Sequence, residues 1–445
     1  MTNTLGDIRA CFEGAVPAIV ATCASDGVPN VAYISQVYYV DERHVALSFQ
    51  FFNKTRQNIL ANPVATVLLL DPRTAQFHRL GLRFRRTETE GPLFEGMKAQ
   101  LAGIASHTGM QGVFRLLGAD VYEVEAIESL EGEPLAAPPS RAGLLGAVRR
   151  AAERLARCTT LDDALDGMLA TLREALGVRH AMVLMLDERG ERLYTVASIG
   201  YATSGVGSEV AVGEGLIGVA ARERTPVRIG HVASASLYSH AMRSALEANV
   251  PDLAQATEIP YPGLAQPHSQ LAVPLLCGGR LRGVLFAESE DDLAFGYEEE
   301  DAFVAIAGHL AAAVESMQQH AESADAPPAA TSAAAGHVGA PLAVKHFAAN
   351  DSIFINDSYL IKGVAGAILA KLLRDHLAHG RTEFTNRELR LDRALGLPEL
   401  SDNLEARLLL LQRRLAEQSP YLRIEKTGRG RFRLVLARPV ALASA

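Results

Sequence analysis

Between Glu322 and Leu342 the chain holds almost nothing that can pack a core: Ala, Pro, Ser and Gly dominate. Such a composition cannot bury enough apolar area to offset the entropy of ordering, so it predicts a flexible linker, taken as residues 321–344. Whatever folds must fold on either side of it. A second break, Gly132-Glu-Pro-Leu-Ala-Ala-Pro-Pro-Ser140, ends a strand pattern upstream. Together the breaks divide 445 residues into units at 1–135, 141–320 and 345–440, as expected for a chain too long for one core. The predicted class is multidomain α+β.

Charge separates the units further. From Lys345 onward there are 17 Lys and Arg against 11 Asp and Glu, a local +6, which leaves −14 on the rest of a chain of net charge −8. An acidic body with a basic final unit predicts different partners for the two regions. No stretch approaches the roughly 18 apolar residues of a membrane span; the longest candidate, Ala302 to Val314, is interrupted by His309. Asp7, Arg9 and Glu13 precede any apolar run, unlike a signal peptide, so a cytoplasmic protein without membrane contact is expected. Cys11, Cys23, Cys158 and Cys277 are far apart with no CxxC pair, which predicts packed thiols rather than a zinc site or disulfide framework.

In the first unit a short helix is predicted over 5–14, then strands over Pro17–Cys23, Val31–Val40, His44–Gln50 and Val64–Leu70, with a turn at Ser25-Asp26-Gly27. Antiparallel strands with few helices imply a small barrel or sandwich. Between strand and helix stands Asn53-Lys-Thr-Arg-Gln-Asn58. With Thr55 as N-cap, free backbone N–H groups would lie beside Lys54 and Arg56, a setting suited to phosphate; a solvated charged turn is the plainer alternative. The order of these elements, closed by Ala119-Asp-Val-Tyr-Glu-Val-Glu125, resembles the pyridoxamine 5′-phosphate oxidase-like FMN-binding split barrel. The resemblance implies an antiparallel split β-barrel holding FMN between two subunits, hence a homodimer. By residue it implies cofactor contacts from Tyr33 and Ser35 on one strand and from Ser48 and Gln50 on another, with Asn53, Lys54, Thr55 and Arg56 at the phosphate. The chain has no Trp, and its first flavin strand lacks the family's leading Arg and closing Lys. The resemblance therefore implies the fold and cofactor class rather than pyridoxamine-phosphate oxidation. Relatives of this barrel bind deazaflavin or haem, which makes His78 and His107 alternative ligands.

In the second unit Leu161, Leu165, Met168, Leu169 and Leu172 recur at helical spacing. Strands follow at Ala181–Leu186, Leu193–Ser198, Thr225–Ile229, Ser269–Leu276 and Gly283–Ser289, and a helix over 298–319 carries an apolar stripe of Phe303, Ile306, Leu310, Val314 and Met317. The segments Gly213–Ile229, Ser269–Ser289 and Phe295–Glu315 resemble those of the GAF fold, an α/β sandwich, which implies an unidentified small-molecule ligand in its pocket. Ala287-Glu288 stands where the cyclic-nucleotide GAF signature begins with Asn-Lys, which argues against a cyclic nucleotide. Cys277, at a strand end, is expected to be a packed thiol rather than a bilin attachment point. Residues 247–268 read as a proline-bearing surface loop.

In the third unit Asn356-Asp357 is a hairpin signal, Val364–His376 a helix stopped by Gly380, and Thr385 the start of a short helix. Asp402-Asn-Leu-Glu405 reads as a capping box opening a helix over 403–418. Its Leu404, Leu408, Leu411 and Leu415 should face inward, with Asn403, Arg407 and Arg414 opposite. An arginine-studded hairpin follows over Leu422–Val435. The order, with Leu411-Gln-Arg-Arg-Leu415 and Thr427-Gly-Arg-Gly-Arg-Phe-Arg-Leu434, resembles the winged-helix effector domain of bacterial response regulators. It implies DNA binding through residues 345–440, by Asn403, Arg407 and Arg414 on the helix and Arg429 and Arg431 on the wing. The alternative is a winged helix used for protein contacts, favoured by Leu409 and Leu410 broadening the apolar face.

No catalytic or metal-binding motif stands out. The expected function is a signalling protein sensing a small molecule or redox state, with DNA-binding output. The alternatives are an FMN-dependent oxidoreductase with regulatory domains, or a cofactor-free dimeric scaffold.

Overall fold

The computed structural model describes residues 4–13, 18–34, 37–49, 54–107, 115–132, 134–135, 143–187, 189–230, 259–322, 340–392, 395 and 404–444. Most of the predicted linker 321–344 lies outside them, although described elements overlap both of its ends.

The first unit opens with a 3-10 turn at Arg9–Phe12, shorter than the predicted helix. Strands β1 (Ala18–Cys23), β2 (Pro29–Ile34), β3 (Val37–Tyr39) and β4 (His44–Phe49) lead to helix α1 (Lys54–Ala61). Strands β5 (Val64–Leu70) and β6 (Phe77–Glu88), helix α2 (Pro92–His107) and strand β7 (Gly118–Ser129) complete it. Gly27, at φ 89°, makes the predicted turn between β1 and β2. The strand expected over Val31–Val40 is two, β2 and β3, and the residues between them lie outside the described set. All seven strands form one antiparallel sheet in the order β2-β1-β5-β6-β7-β4-β3. Strict alternation sends Val20, Val67, Leu69, Leu80 and Leu82 into its core. Register shifts at Gly81/Leu82 and Phe84/Arg86 bend β6 against β7, as bulges do. The curled sheet is consistent with a split barrel.

The second unit comprises α3 (Leu144–Leu155), α4 (Leu161–Leu176), β8 (His180–Leu186), β9 (Arg192–Ile199), β10 (Glu209–Ala211) and α5 (Gly215–Glu223). It continues with β11 (Val227–Ile229), β12 (Ser269–Cys277), β13 (Arg280–Ser289) and α6 (Tyr297–Glu322). The antiparallel sheet runs β10-β9-β8-β13-β12-β11. Thr160 caps α4 by accepting from the Asp163 N–H, and Gly177 closes it in the left-handed region. Helices α3, α4 and α6 cover one face, where Leu165, Leu169, Phe303, Ile306, Leu310 and Val314 are buried. The α6 stripe therefore packs on its own sheet. Helix α5 covers the other face, joined there by Ala99 of α2.

The third unit comprises β14 (Leu342–Phe347), β15 (Ser352–Ile355), β16 (Ser358–Ile361), α7 (Gly363–His379), β17 (Glu383–Thr385) and α8 (Asn386–Leu391). It ends with α9 (Leu404–Gln418), β18 (Leu422–Gly428), β19 (Arg431–Leu436) and β20 (Val440–Ser444). The sheets run β16-β15-β14-β20, with β14 and β20 parallel, and β17-β19-β18. Asn356 and Asp357 both take left-handed φ in the β15–β16 turn, and Gly380 ends α7 at φ 67°. Thr385 and Glu388 form a capping box on α8. Of the capping box predicted at Asp402–Glu405, Asp402 and Asn403 lie outside the described residues. The Glu405 carboxylate accepts from Asn386 Nδ2 (2.6 Å) and pairs with Lys426 (3.0 Å), tying α9 to α8 and the hairpin.

The units touch through built contacts. Arg228 on β11, only 1% exposed as a side chain, pairs with Glu13 of the first unit and with Glu300 (Nε–Oε2 2.8 Å). Its guanidinium lies 4.6 Å from the Tyr297 ring centre, and the Tyr297 hydroxyl donates to the Phe12 carbonyl at 2.7 Å. Gln100 on α2 donates to the Arg228 carbonyl, and Lys98 pairs with Glu223 at 2.9 Å.

Candidate functional site

Three places gather the chemistry. The first is helix α1. Asn30 of β2 donates to the Thr55 hydroxyl at 2.9 Å, and Arg56 lies 4.4 Å from the Phe49 ring centre at the end of β4. The helix thus bridges two strands far apart in the sheet order. Thr55 lies inside α1, which begins at Lys54, so it is not the N-cap the sequence suggested. Arg56 is clamped: it pairs with Asp120, donates to Thr87 Oγ1 at 2.9 Å, and stacks between Phe49 and Phe84. Lys54 is exposed, Ser48 is half-buried, and Tyr33 stands 79% exposed on edge strand β2 beside Val31. Ser35, Gln50 and Asn53 lie outside the described residues. His78 is buried, with a ring nitrogen 3.1 Å from Ser129 Oγ, and desolvation lowers its pKa. The backbone of His107 ends α2. Among the described residues no group of three or more His, Cys, Asp or Glu is placed to hold a metal ion.

The second place is the α5 side of the GAF-like sheet. Glu288 on β13 is 2% exposed and accepts from the Leu264 N–H (2.7 Å) and Gln270 Nε2 (3.0 Å). His180 is its register partner on β8, and the His180 and Tyr201 ring centres lie 5.5 Å apart with their planes tilted by 49°. Burial raises the pKa of Glu288 against those hydrogen bonds, and burial likewise pushes up the Tyr201 and Tyr261 hydroxyls. Alternation along β8, β12 and β13 puts His180, Gln270 and Glu288 on the side of the sheet that carries α5, giving an apolar face a polar end. A pH dependence follows. A carboxyl raised above its unfolded value stabilises below the unfolded pKa and loses that contribution as pH rises through the folded pKa. Glu288→Gln is therefore expected to raise the melting temperature at pH 8 and leave it unchanged near pH 4; equal shifts at both would contradict the burial of a charge. Most of the predicted loop 247–268 lies outside the described residues.

The third place is α9 with its hairpin. Leu404, Leu408, Leu411 and Leu415 are buried as expected. The opposite side is not the solvent face the sequence implied. Arg407 is 9% exposed with its guanidinium 3.8 Å from the ring centre of Tyr194, and Arg414 is 6% exposed and donates to the Leu360 carbonyl at 3.1 Å. A guanidinium is weakly hydrated and flat, so it can cover an aromatic face at low desolvation cost. Arg413, which the sequence did not single out, reaches Asp162 (2.5 Å) and Asp166 (2.6 Å) on α4 and donates to the Val196 carbonyl. On the hairpin, Glu425 pairs with both Arg423 (2.6 Å) and Arg433 (2.9 Å), while Arg429 is exposed at the turn and Arg431 half-buried. Asn403 lies outside the described residues.

Cysteines Cys11, Cys23, Cys158 and Cys277 are free thiols, and burial pushes Cys11 up to about 12. Among the described residues no helix is long and apolar enough to cross a membrane.

The family model for pyridoxamine 5′-phosphate oxidase matches residues 5–126, and the model for the GAF domain matches residues 160–314. No curated protein matches the chain. Similar solved structures include the GAF domain of an Acinetobacter phosphoenolpyruvate-protein phosphotransferase, 21% identical, covering 42% of this chain and 99% of that one (TM-score 0.32). An FMN-binding protein from Syntrophomonas wolfei is 15% identical over 29% of this chain and 86% of its own (TM-score 0.25). Free methionine-R-sulfoxide reductase from Neisseria meningitidis, solved with its substrate, is 22% identical over 41% and 95% (TM-score 0.31). The two family models support an architecture in which a pyridoxamine 5′-phosphate oxidase-type split barrel is followed by a GAF domain.

Proposed function

We propose that this chain is a sensory regulator: a flavin, FMN first, at α1 of the barrel, a small molecule beside Glu288 on the GAF domain, and a winged-helix output that binds DNA. The observation that carries it is the joining of two ligand-type domains by the Glu13–Arg228–Glu300 cluster, so that a change in either is felt by the other. In this reading residues 345–440 are a winged helix: β17 pairs with the β18–β19 hairpin, which is the wing, behind α9. Its DNA contacts are Asn403, Arg407, Arg414, Arg429 and Arg431.

The residues present fit a flavin phosphate only partially. Exposed Lys54 and the first N–H groups of α1 are suited to an anion, with Ser48 and Tyr33 on flanking strands. Bound flavin supplies electron-transfer chemistry; the chain supplies the phosphate grip and the polar contacts of Ser35, Gln50, Asn53 and Thr55. Exposed Val31 and Tyr33 on β2 support pairing of two copies across that edge. One observation favours a second reading, the cofactor-free scaffold: Arg56 already has its anion in Asp120.

The absorption spectrum of freshly purified protein tests these readings. A flavin spectrum is expected, with retention lost in Lys54→Ala/Arg56→Ala and affinity for added FMN reduced roughly tenfold or more in Lys54→Ala alone. Flavin held undiminished by the double variant would overturn the phosphate assignment. A haem band would redirect the site to His78. A colourless protein that takes up no FMN would establish the scaffold.

A further inference from the structure

One of the arginines proposed to meet DNA, Arg407, is turned by α9 onto the GAF domain beside Arg413, and the geometry points to an internal latch: the GAF domain and nucleic acid compete for one surface of α9. This inference rests on the DNA-binding reading above.

The contacts form one continuous seam. Asp162 and Asp166 are four apart on α4, which puts both carboxylates on one side of the helix, where they take the Arg413 guanidinium as a phosphate would. Nearer the start of α9, Arg407 covers Tyr194 of β9. Ser204 donates to Glu417 near the end of α9, and Lys362, just before α7, pairs with Glu209 of β10 at 3.3 Å. Gly207 belongs to the same seam: a Cβ there would lie 3.6 Å from both Leu410 and Arg414 side chains. Part of the wing also borders the GAF domain. Lys426, Gly428 and Arg429 form one wall of a cleft of about 800 Å³ whose other wall includes Ala152, Leu155 and Met317 of α3 and α6. Duplex DNA lying along α9 would have to occupy the space of α4 and β9.

The charges match this arrangement. The final unit is basic and its seam partners on the GAF domain, Asp162, Asp166 and Glu209, are acidic, so the domain presents carboxylates where DNA would present phosphates. These acids are partly exposed, with Asp162 at 51% and Asp166 at 64%. Pairs of that kind are individually weak and salt-sensitive, which suits a contact that must open. Helix α4 packs directly beneath the GAF sheet, so a ligand-driven shift of that sheet reaches the latch without an intermediary.

The test uses the full chain carrying Asp162→Arg/Asp166→Arg, with Asp162→Asn/Asp166→Asn as the milder version. Both leave every candidate DNA contact in place, and an unchanged melting temperature shows that the fold survives. Two measurements are made: hydrogen exchange of the α9 amides, and anisotropy of a labelled random-sequence duplex across a salt series. The expected result is faster α9 exchange with at least about tenfold tighter duplex binding. The log–log salt slope should steepen by roughly 2–3, the release of two or three phosphate counterions. Equal exchange and equal duplex affinity in parent and variants would overturn the latch. Faster exchange with no duplex binding in any chain would overturn the DNA reading and the competition with it, leaving only a hinge between two domains.

Discussion

An Arg228→Ala chain is expected to lose about 3–5 kcal/mol of stability, the cost typical of breaking a buried ion pair by removing one partner. The reason lies in what remains. Glu13 is 3% exposed, and without the guanidinium the hydrogen bond left to its carboxylate among the described residues is from the Tyr297 N–H at 3.3 Å. The Tyr297 ring also loses a covering cation. Urea unfolding followed by circular dichroism measures the loss. Arg228→Met/Glu13→Leu, which removes both charges while keeping volume, should regain most of it, since well-packed apolar replacements of buried pairs are often neutral. If the double variant is no better than the single one, packing rather than the uncompensated charge governs the site.

The second large effect is expected at Gly283, in the centre of the GAF sheet. There β13 runs so close to β8 that a Cβ would lie 2.0 Å from the Leu184 carbonyl oxygen. No side-chain rotation relieves that contact, because the obstacle is backbone. Gly283→Ala must push β8 and β13 apart and is expected to abolish accumulation of folded protein, an effect at or beyond the roughly 1–3 kcal/mol usual for overpacking. Gly278→Asn is the control. Gly278 lies in the β12–β13 turn at φ 56° with nothing within 4 Å of a Cβ, and asparagine tolerates that backbone. Expression and melting temperature of the two variants separate steric approach from glycine content. A soluble Gly283→Ala chain with parental melting would mean that β8 and β13 are not held at this spacing.

Local signals in the sequence carried much of the fold. Strand β5 lies where its β-branched run predicted, and Gly27, Asn356-Asp357, Gly380 and Thr385 mark the turns and caps expected of them. These are features in which a residue and its near neighbours decide the backbone. What stayed illegible depends on partners distant in the chain. Helix α2 has no single apolar stripe because it is wedged between two units: Leu93, Phe94, Met97 and Leu101 pack in the first, while Ala99 and Ala102 pack in the second. Strands β14 and β20 pair with each other across nearly a hundred residues, and the alanine-rich flank of β14 reads as linker. For α9 the pattern gave the leucine side correctly, but no periodicity says what covers the other side. A guanidinium destined for phosphate and one destined for an aspartate pair look alike in a sequence. The same holds for the candidate cofactor site: Lys54 and Arg56 read as equals, and only the position of Asp120 on β7 separates their roles.

The parallel pairing of β14 with β20 has a mechanical consequence. Tension that enters the third unit at the start of β14 and leaves at the end of β20 pulls the two strands along their length in opposite directions. Every bonded position from Leu342↔Val440 to His346↔Ser444 is then loaded together. An antiparallel pair held in the same way would open one bond at a time, as a zipper does. The third unit is thus built to resist stretching between its two ends.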